Sequence, residues 1–300
     1  MNVFVIGASG YIGRALTAKL LEKGHRVIAL ARSDESAARL PVGDVETIRG
    51  EVANLDSLRH GLERADAVIY LAIAGGSGTL PEDTAALNLI FDRLAGTDRP
   101  FIMTTGMGIY TGIQATEFDE ETPLDAVSPV MAWRVQLERT VLDAASRGIR
   151  SIVIRPSVVY GRGGGSPVLR GALDYARKSG SAVYIAVGDN SVPVVYVDDL
   201  PAAYVLALEK APAGMLFNVF GSSVSGKDMA RGISYAAGLN GKIVSLTLPD
   251  TLTVLGPIGY GLATDVPASG LRTALVLGWT PGGPSLLHEF IYGSNSQVVT

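Results

Sequence analysis

The chain has no cysteine among its 300 residues. That absence excludes disulfides, thiolate nucleophiles and cysteine metal sites together, and it fits a reducing compartment, so a cytoplasmic location is expected. Histidine is nearly as scarce. His25, His60 and His288 stand far apart with no HxxxH or HExxH spacing, and no metal site is expected. Basic runs and acidic tails are also missing, and lysine plus arginine (25) against aspartate plus glutamate (29) gives a net charge of −4. Nucleic acid is therefore not an expected partner. No stretch reaches the ~18 uninterrupted apolar residues that cross a bilayer. No basic region precedes an apolar segment at the start, so neither a membrane span nor a signal peptide is expected. The nucleophile-elbow pattern GxSxG does not occur, which removes that class of hydrolase.

What remains is apolar and regular. Hydrophobic residues make up 47% of the chain, charged residues 18%, and the mean hydropathy is +0.29. Such a balance suits a parallel sheet covered on both faces. Strand-like runs at 2–6 (NVFVI), 26–31 (RVIALA), 46–50, 65–73 (ADAVIYLAI), 99–105 (RPFIMTT) and 151–156 (SIVIRP) alternate with helical stretches. The last of these helices, 128–147, ends in Arg147-Gly148, a basic last turn followed by a C-cap glycine. Alternation at these lengths predicts an α/β fold with a doubly wound parallel sheet of Rossmann type. Residues 1–160 are expected to form the dinucleotide-binding domain, with the strand and helix of 191–210 returning to it. Residues 161–190 and 211–300 are expected to form a smaller substrate lobe, which would include the strand-like GMLFNVF of 214–220.

Gly7, Gly10 and Gly13 form GxxGxxG in VIGASGYIG, between the first strand and a helix carrying Ile12, Ala15, Leu16 and Leu20 on one face. Glycine permits the sharp turn. Missing side chains let a diphosphate approach the backbone, where free N–H groups and the positive helix end await it. Ser9, Tyr11 and Ile12 share that turn as candidate cofactor contacts. An NAD enzyme usually ends its second strand with a carboxylate for the ribose hydroxyls. Here Arg32 and Ser33 follow Ala31, a guanidinium and a hydroxyl that suit a 2′-phosphate, so NADP is expected in preference to NAD.

Several segments in order resemble the short-chain dehydrogenase/reductase superfamily, in its extended and atypical branches of the NAD-dependent epimerase/dehydratase type. GASGYIG is similar to its phosphate turn. IRGEVANLDSL (48–58) resembles its GDxxDxxSL stretch, with Glu51 where the adenine-flanking Asp stands. ADAVIYLA (65–72) resembles DxVIHLA, which implies Leu71 and Ala72 beside the cofactor. VIRPSVVYGRG (153–163) resembles RPxxVYG, which implies Pro156 near the nicotinamide. VPVVYVDDLPAAYVLALE (192–209) is similar to xxVHVDDLAxA, with Tyr196 for His. The resemblance runs from Met1 to about Asp199, with a weaker echo in LGWTP at 277–281.

The resemblance implies a Ser or Thr to hold the substrate oxygen, a Tyr as acid or base, and a Lys four residues later. Here the pattern breaks. Counted from Tyr110, the Ser/Thr position falls on Gly106, with Thr105 one residue earlier. Counted from Glu138 in VMAWRVQLE, the Tyr falls on Val130 and the Lys on Arg134, or on Met131 and Val135 after a one-residue slip. None of the 11 tyrosines has a Lys four residues on. Positioned acid–base catalysis is worth ~10²–10⁴ in rate, so its proton must come from elsewhere.

The candidates are Thr105, Tyr110 and Tyr196, placed by the fold near the carboxyl ends of strands, with Thr104, Tyr160 and the cation Arg134. Arg134 would hold a ribose or a substrate carboxylate, or simply pair with Glu138 one turn on. Asp198 and Asp199 read as helix N-terminal residues. GSSVSGKD (221–228) lacks the hydroxyl after Lys that a phosphate-binding loop needs, so Ser225 reads as a helix cap. Two functions follow. One is an NADP-dependent oxidoreductase on a small carbonyl compound, with a non-standard proton donor. The other is a non-redox isomerase, dehydratase or cyclase on the same scaffold; a cofactor-sensing binding protein is a third. The expected state is a monomer or homodimer.

Overall fold

The computed structural model describes residues 1–72, 80–129 and 131–294. The first half alternates as expected: β1 (Asn2–Ile6), α1 (Tyr11–Glu22), β2 (Arg26–Ala31), α2 (Asp34–Ala38), β3 (Val45–Arg49), α3 (Leu55–Leu62), β4 (Ala67–Tyr70), α4 (Leu80–Leu94), β5 (Pro100–Thr104), α5 (Ala132–Asp143) and β6 (Arg150–Pro156). The helix expected over 128–147 is shorter. It ends in a 3₁₀ turn, Ala144–Arg147, and Gly148 caps it at φ 71°, the left-handed geometry that glycine adopts at low cost.

Next come β7 (Val158–Gly161), β8 (Gly164–Gly165), α6 (Pro167–Ser179), β9 (Ala182–Ile185), β10 (Ser191–Tyr196), α7 (Leu200–Lys210), β11 (Met215–Val219) and β12 (Ser222–Ser225). Then follow α8 (Gly226–Ala236), β13 (Ile243–Leu246), α9 (Leu248–Leu255), α10 (Ile258–Ala263) and α11 (Leu286–Tyr292).

Seven strands form the central sheet in the order β11-β6-β5-β4-β1-β2-β3, all parallel. Side chains of a strand alternate between faces, and the core divides accordingly. Val3 and Val5 pack with Leu16, Leu20, Ala203 and Leu208 from α1 and α7. Phe4 and Ile6 pack with Leu58, Leu62, Ile90, Phe91 and Val141 from α3, α4 and α5. With each such side chain worth about 1.5–3 kcal/mol when fully buried, the two layers fix the sheet between its helices.

Two expectations about the later half are corrected. The strand at 191–196 does not return to the central sheet. It pairs with β7 and β12 in a four-stranded second sheet, β12-β10-β7-β8. Conversely, β11, expected in the substrate lobe, is the seventh central strand, with Asn218 beside Arg155 and Val219 beside Pro156. Helix α7 packs on α1. Ser225 caps α8 as expected, its hydroxyl accepting from Asp228 N at 3.0 Å. No helix among the described residues is long and apolar enough to cross a membrane.

Candidate active site

β1 runs into the glycine turn with Gly7 at φ 96°. Gly10 N then donates to Gly7 O at 3.0 Å. A β-carbon on Gly13 would lie 2.1 Å from Gly7 O and 2.7 Å from Ala8 O, so any side chain there forces the turn and helix apart. Helix α1 starts at Tyr11 without a side-chain cap on Gly10. The first intrahelical bond runs from Arg14 N to Gly10 O at 3.0 Å, so the N–H groups before it have no acceptor within the helix. This is a cradle for an anion, and it suits a diphosphate. Tyr11 and Ile12 line the cavity in front of it. The Tyr11 hydroxyl, however, is tied to Gly161 O at 2.7 Å. Ser9 is half-buried in the turn.

At the end of β2, Arg32 is exposed, and its neighbour Asp34 is occupied by Arg49. Ser33 caps α2 in a reciprocal box with Ser36, so its hydroxyl already has a partner. Glu51 is exposed, outside the central cavity. The end of β4 presses on the turn: a β-carbon at Gly7 would meet Ala72 N and Leu71 Cβ, each at 3.1 Å. Leu71 and Pro156 line the cavity. The segment that follows Ala72, through residue 79, lies outside the described residues, as does Val130.

The cavity holds about 430 Å³ between the glycine turn, the ends of β5 and β6, and the second sheet. Thr104, Thr105 and Arg134 are brought to it; Tyr110 and Tyr196 are not. The Thr104 hydroxyl is shared with Tyr204 at 2.7 Å. Thr105 donates to the Glu138 carboxylate. Glu138 is clamped by Arg155, whose Nε lies 3.0 and 3.1 Å from its two oxygens; both side chains are only 2% exposed.

Tyr110, expected at the substrate, faces this buried network instead. Its 3₁₀ turn, Met107–Tyr110, aims the ring inward. The phenol donates to Asp119 O at 2.7 Å and receives Arg155 Nη1 at 2.9 Å and Asn218 Nδ2 at 2.8 Å. Burial pushes its pKa up, against the lowering pull of Arg155. Tyr196 packs its ring on Tyr160 at 5.7 Å, between Gly161 and Gly283. Tyr160 in turn donates to Pro284 O at 2.6 Å.

Arg134 does not pair with Glu138, because Arg155 has taken that carboxylate. Arg134 Nη1 donates to Thr105 O at 3.3 Å, the guanidinium lies 5.0 Å from the Trp133 ring, and the buried Nε has no partner among the described residues. Desolvation pulls its pKa down, with Glu138 opposing. The sequence reading missed Glu138 and Arg155 as site residues. The signal was there, since Arg155 is the one charge inside the mainly apolar run SIVIRP, and a charge so placed requires a buried partner.

Comparison with known proteins adds a frame to this geometry. A sequence model of the NAD dependent epimerase/dehydratase family matches residues 3–220. A Schizosaccharomyces pombe protein, C2A9.02, is 31% identical across 96% of this chain and 98% of its own length. The 2-alkyl-3-oxoalkanoate reductase of Stenotrophomonas maltophilia is 26% identical across 71% of this chain and 67% of its own. Among solved structures, a UDP-glucuronic acid 4-epimerase from Bacillus cereus, in complex with UDP-glucuronic acid and NAD, superposes with a TM-score of 0.79. It covers 100% of both chains at 20% identity, a likeness of fold.

Proposed function

The chain belongs to the NAD dependent epimerase/dehydratase family, and from that premise we propose that it is an NADP-dependent oxidoreductase acting on a small carbonyl compound. One observation carries the reading. The uncapped start of α1, guarded by a Gly13 that admits no β-carbon, opens on the same cavity as Thr105 and Arg134.

In this reading Gly7, Gly10 and Gly13, with Ser9, Tyr11 and Ile12 around them, hold the diphosphate through backbone N–H groups. Arg32 is exposed and has no carboxylate within ion-pairing distance among the described residues, which supports a 2′-phosphate as its partner. Ser33 shapes the start of α2, and Leu71, Ala72 and Pro156 wall the nicotinamide end. The bound dinucleotide would supply a hydride to the carbonyl carbon.

The chain's own residues manage the oxygen. The Thr105 hydroxyl spends its one hydrogen on Glu138, so it can only accept from the cavity, and donation to the substrate oxygen falls to Arg134. Arg134 contributes the positive charge that favours a developing alkoxide. The alkoxide then takes its proton from water rather than from a phenol, because Tyr110 and Tyr196 do not line the cavity and Tyr11 is bonded to a carbonyl. Without a positioned acid, turnover falls short of a family member that has one by about 10²–10⁴. Reductase activity in the Stenotrophomonas relative supports the redox direction.

The test is to incubate the protein with NADPH and a panel of small ketones and aldehydes, following NADPH absorbance and product mass together. Matched loss of NADPH and a gain of two hydrogens are expected. A product of unchanged mass, with NADPH intact, overturns this reading in favour of isomerisation, which the absence of a free phenol from the cavity wall among the described residues favours.

A further inference from the structure

The polarity of the cavity wall is one-sided. Two guanidiniums line it, Arg134 within and Arg170 at its exposed rim, and among the described residues no Asp or Glu does. Among the described residues neither arginine has a carboxylate within ion-pairing distance. The remaining wall is mainly apolar, with Ile12, Leu71, Met107, Met131, Val168 and Val192.

Arg134 is the more constrained of the two. Among the described residues one hydrogen bond, to Thr105 O at 3.3 Å, serves its whole fork, and its buried Nε has no partner. A buried donor left unpaired costs about 1–3 kcal/mol, more when it is charged. A ribose hydroxyl would satisfy an N–H but leave the charge unmatched. A carboxylate matches both the fork and the charge, which is why Arg and Lys are not equivalent at such a site. The guanidinium is bonded to the Thr105 backbone carbonyl, and both residues line the cavity.

We propose that the substrate is an aliphatic oxo acid, its carboxylate held by Arg134 and its carbonyl, one or two carbons away, set beside Thr105. This narrows the hydride-transfer reading above to a substrate class and rests on it. The apolar wall takes the aliphatic remainder, and Arg170 raises the anion's concentration at the mouth.

Calorimetry tests the inference without turnover. The protein is titrated with 2-oxooctanoate and with neutral 2-octanone, each with and without saturating NADP⁺. The acid is expected to bind more tightly than the ketone by about tenfold or more. Arg134→Gln should erase that preference while leaving 2-octanone and NADP⁺ binding within about threefold, and Arg134→Lys should restore part of it.

Equal affinity for acid and ketone in the unaltered protein overturns the proposal, whatever the variants do. So does an Arg134→Gln protein that loses NADP⁺ and the acid in equal measure, because the guanidinium then serves the cofactor. Failure of the hydride-transfer reading looks different. NADP⁺ gives no heat while the acid still binds through Arg134, and the carboxylate site survives as that of a non-redox enzyme.

Discussion

Arg155 and Glu138, each 2% exposed, form a buried ion pair to which Thr105 and Tyr110 are both bonded. The glycines of the turn announce themselves because their spacing and their place after a strand are local. The partner of Glu138 is 17 positions away, while an equally well-spaced cation, Arg134, stands one helical turn off and points elsewhere. Tyr110 misled for the same reason: its position in TTGMGIYT is local, but the direction of its ring is set by Arg155 and by Asn218, which is 108 positions away. Tyr110 therefore belongs to stability. Tyr110→Phe removes a hydroxyl that receives two buried donors, and should cost about 1–3 kcal/mol in urea unfolding. NADPH affinity should stay within about twofold of the parent. A fall in affinity with no loss of stability would return the phenol to the site.

At the scale of elements, the turn between β1 and α1 carries the most weight. Its apolar strand, three glycines and amphipathic helix are legible in the sequence, and Gly7 sits at φ 96°, where glycine is favoured. Gly13→Ala would put a methyl carbon 2.1 Å from Gly7 O, against backbone that has no rotamer to yield. Overpacking of this kind costs about 1–3 kcal/mol, and the shifted helix start should weaken NADPH binding by about a hundredfold, measured by fluorescence titration. Binding that survives the substitution would mean that the dinucleotide sits elsewhere. The later strands were less legible. GMLFNVF reads as a strand from its residues, yet only tertiary pairing with β6 makes it the seventh of the central sheet. SVPVVYV reads equally well, and pairs outside that sheet.

Across the whole molecule, the two edges of the sheet do different work. The carboxyl ends of the strands build the cavity, and the amino ends hold His25, which just precedes β2. His25 is 9% exposed, its ring nitrogens lack hydrogen-bond partners among the described residues, and Glu209 is 3.8 Å away. Burial first, then the chain's amino terminus, lowers its pKa from the ordinary 6.5, with Glu209 opposing. A lowered folded pKa means that the unfolded chain takes up the proton first. The stability due to neutral His25 is thus present above pH 6.5 and lost as pH falls through the folded value. His25→Phe should flatten that acid slope in thermal unfolding without changing coenzyme affinity; an unchanged slope would assign the acid sensitivity to other groups. At the carboxyl ends of the strands, titration calorimetry with NADPH and NADH tests the dinucleotide cradle most directly. The account predicts one NADPH bound per chain, more tightly than NADH, with Arg32→Ala weakening NADPH by about 10- to 100-fold and NADH little. No heat from either coenzyme would contradict it.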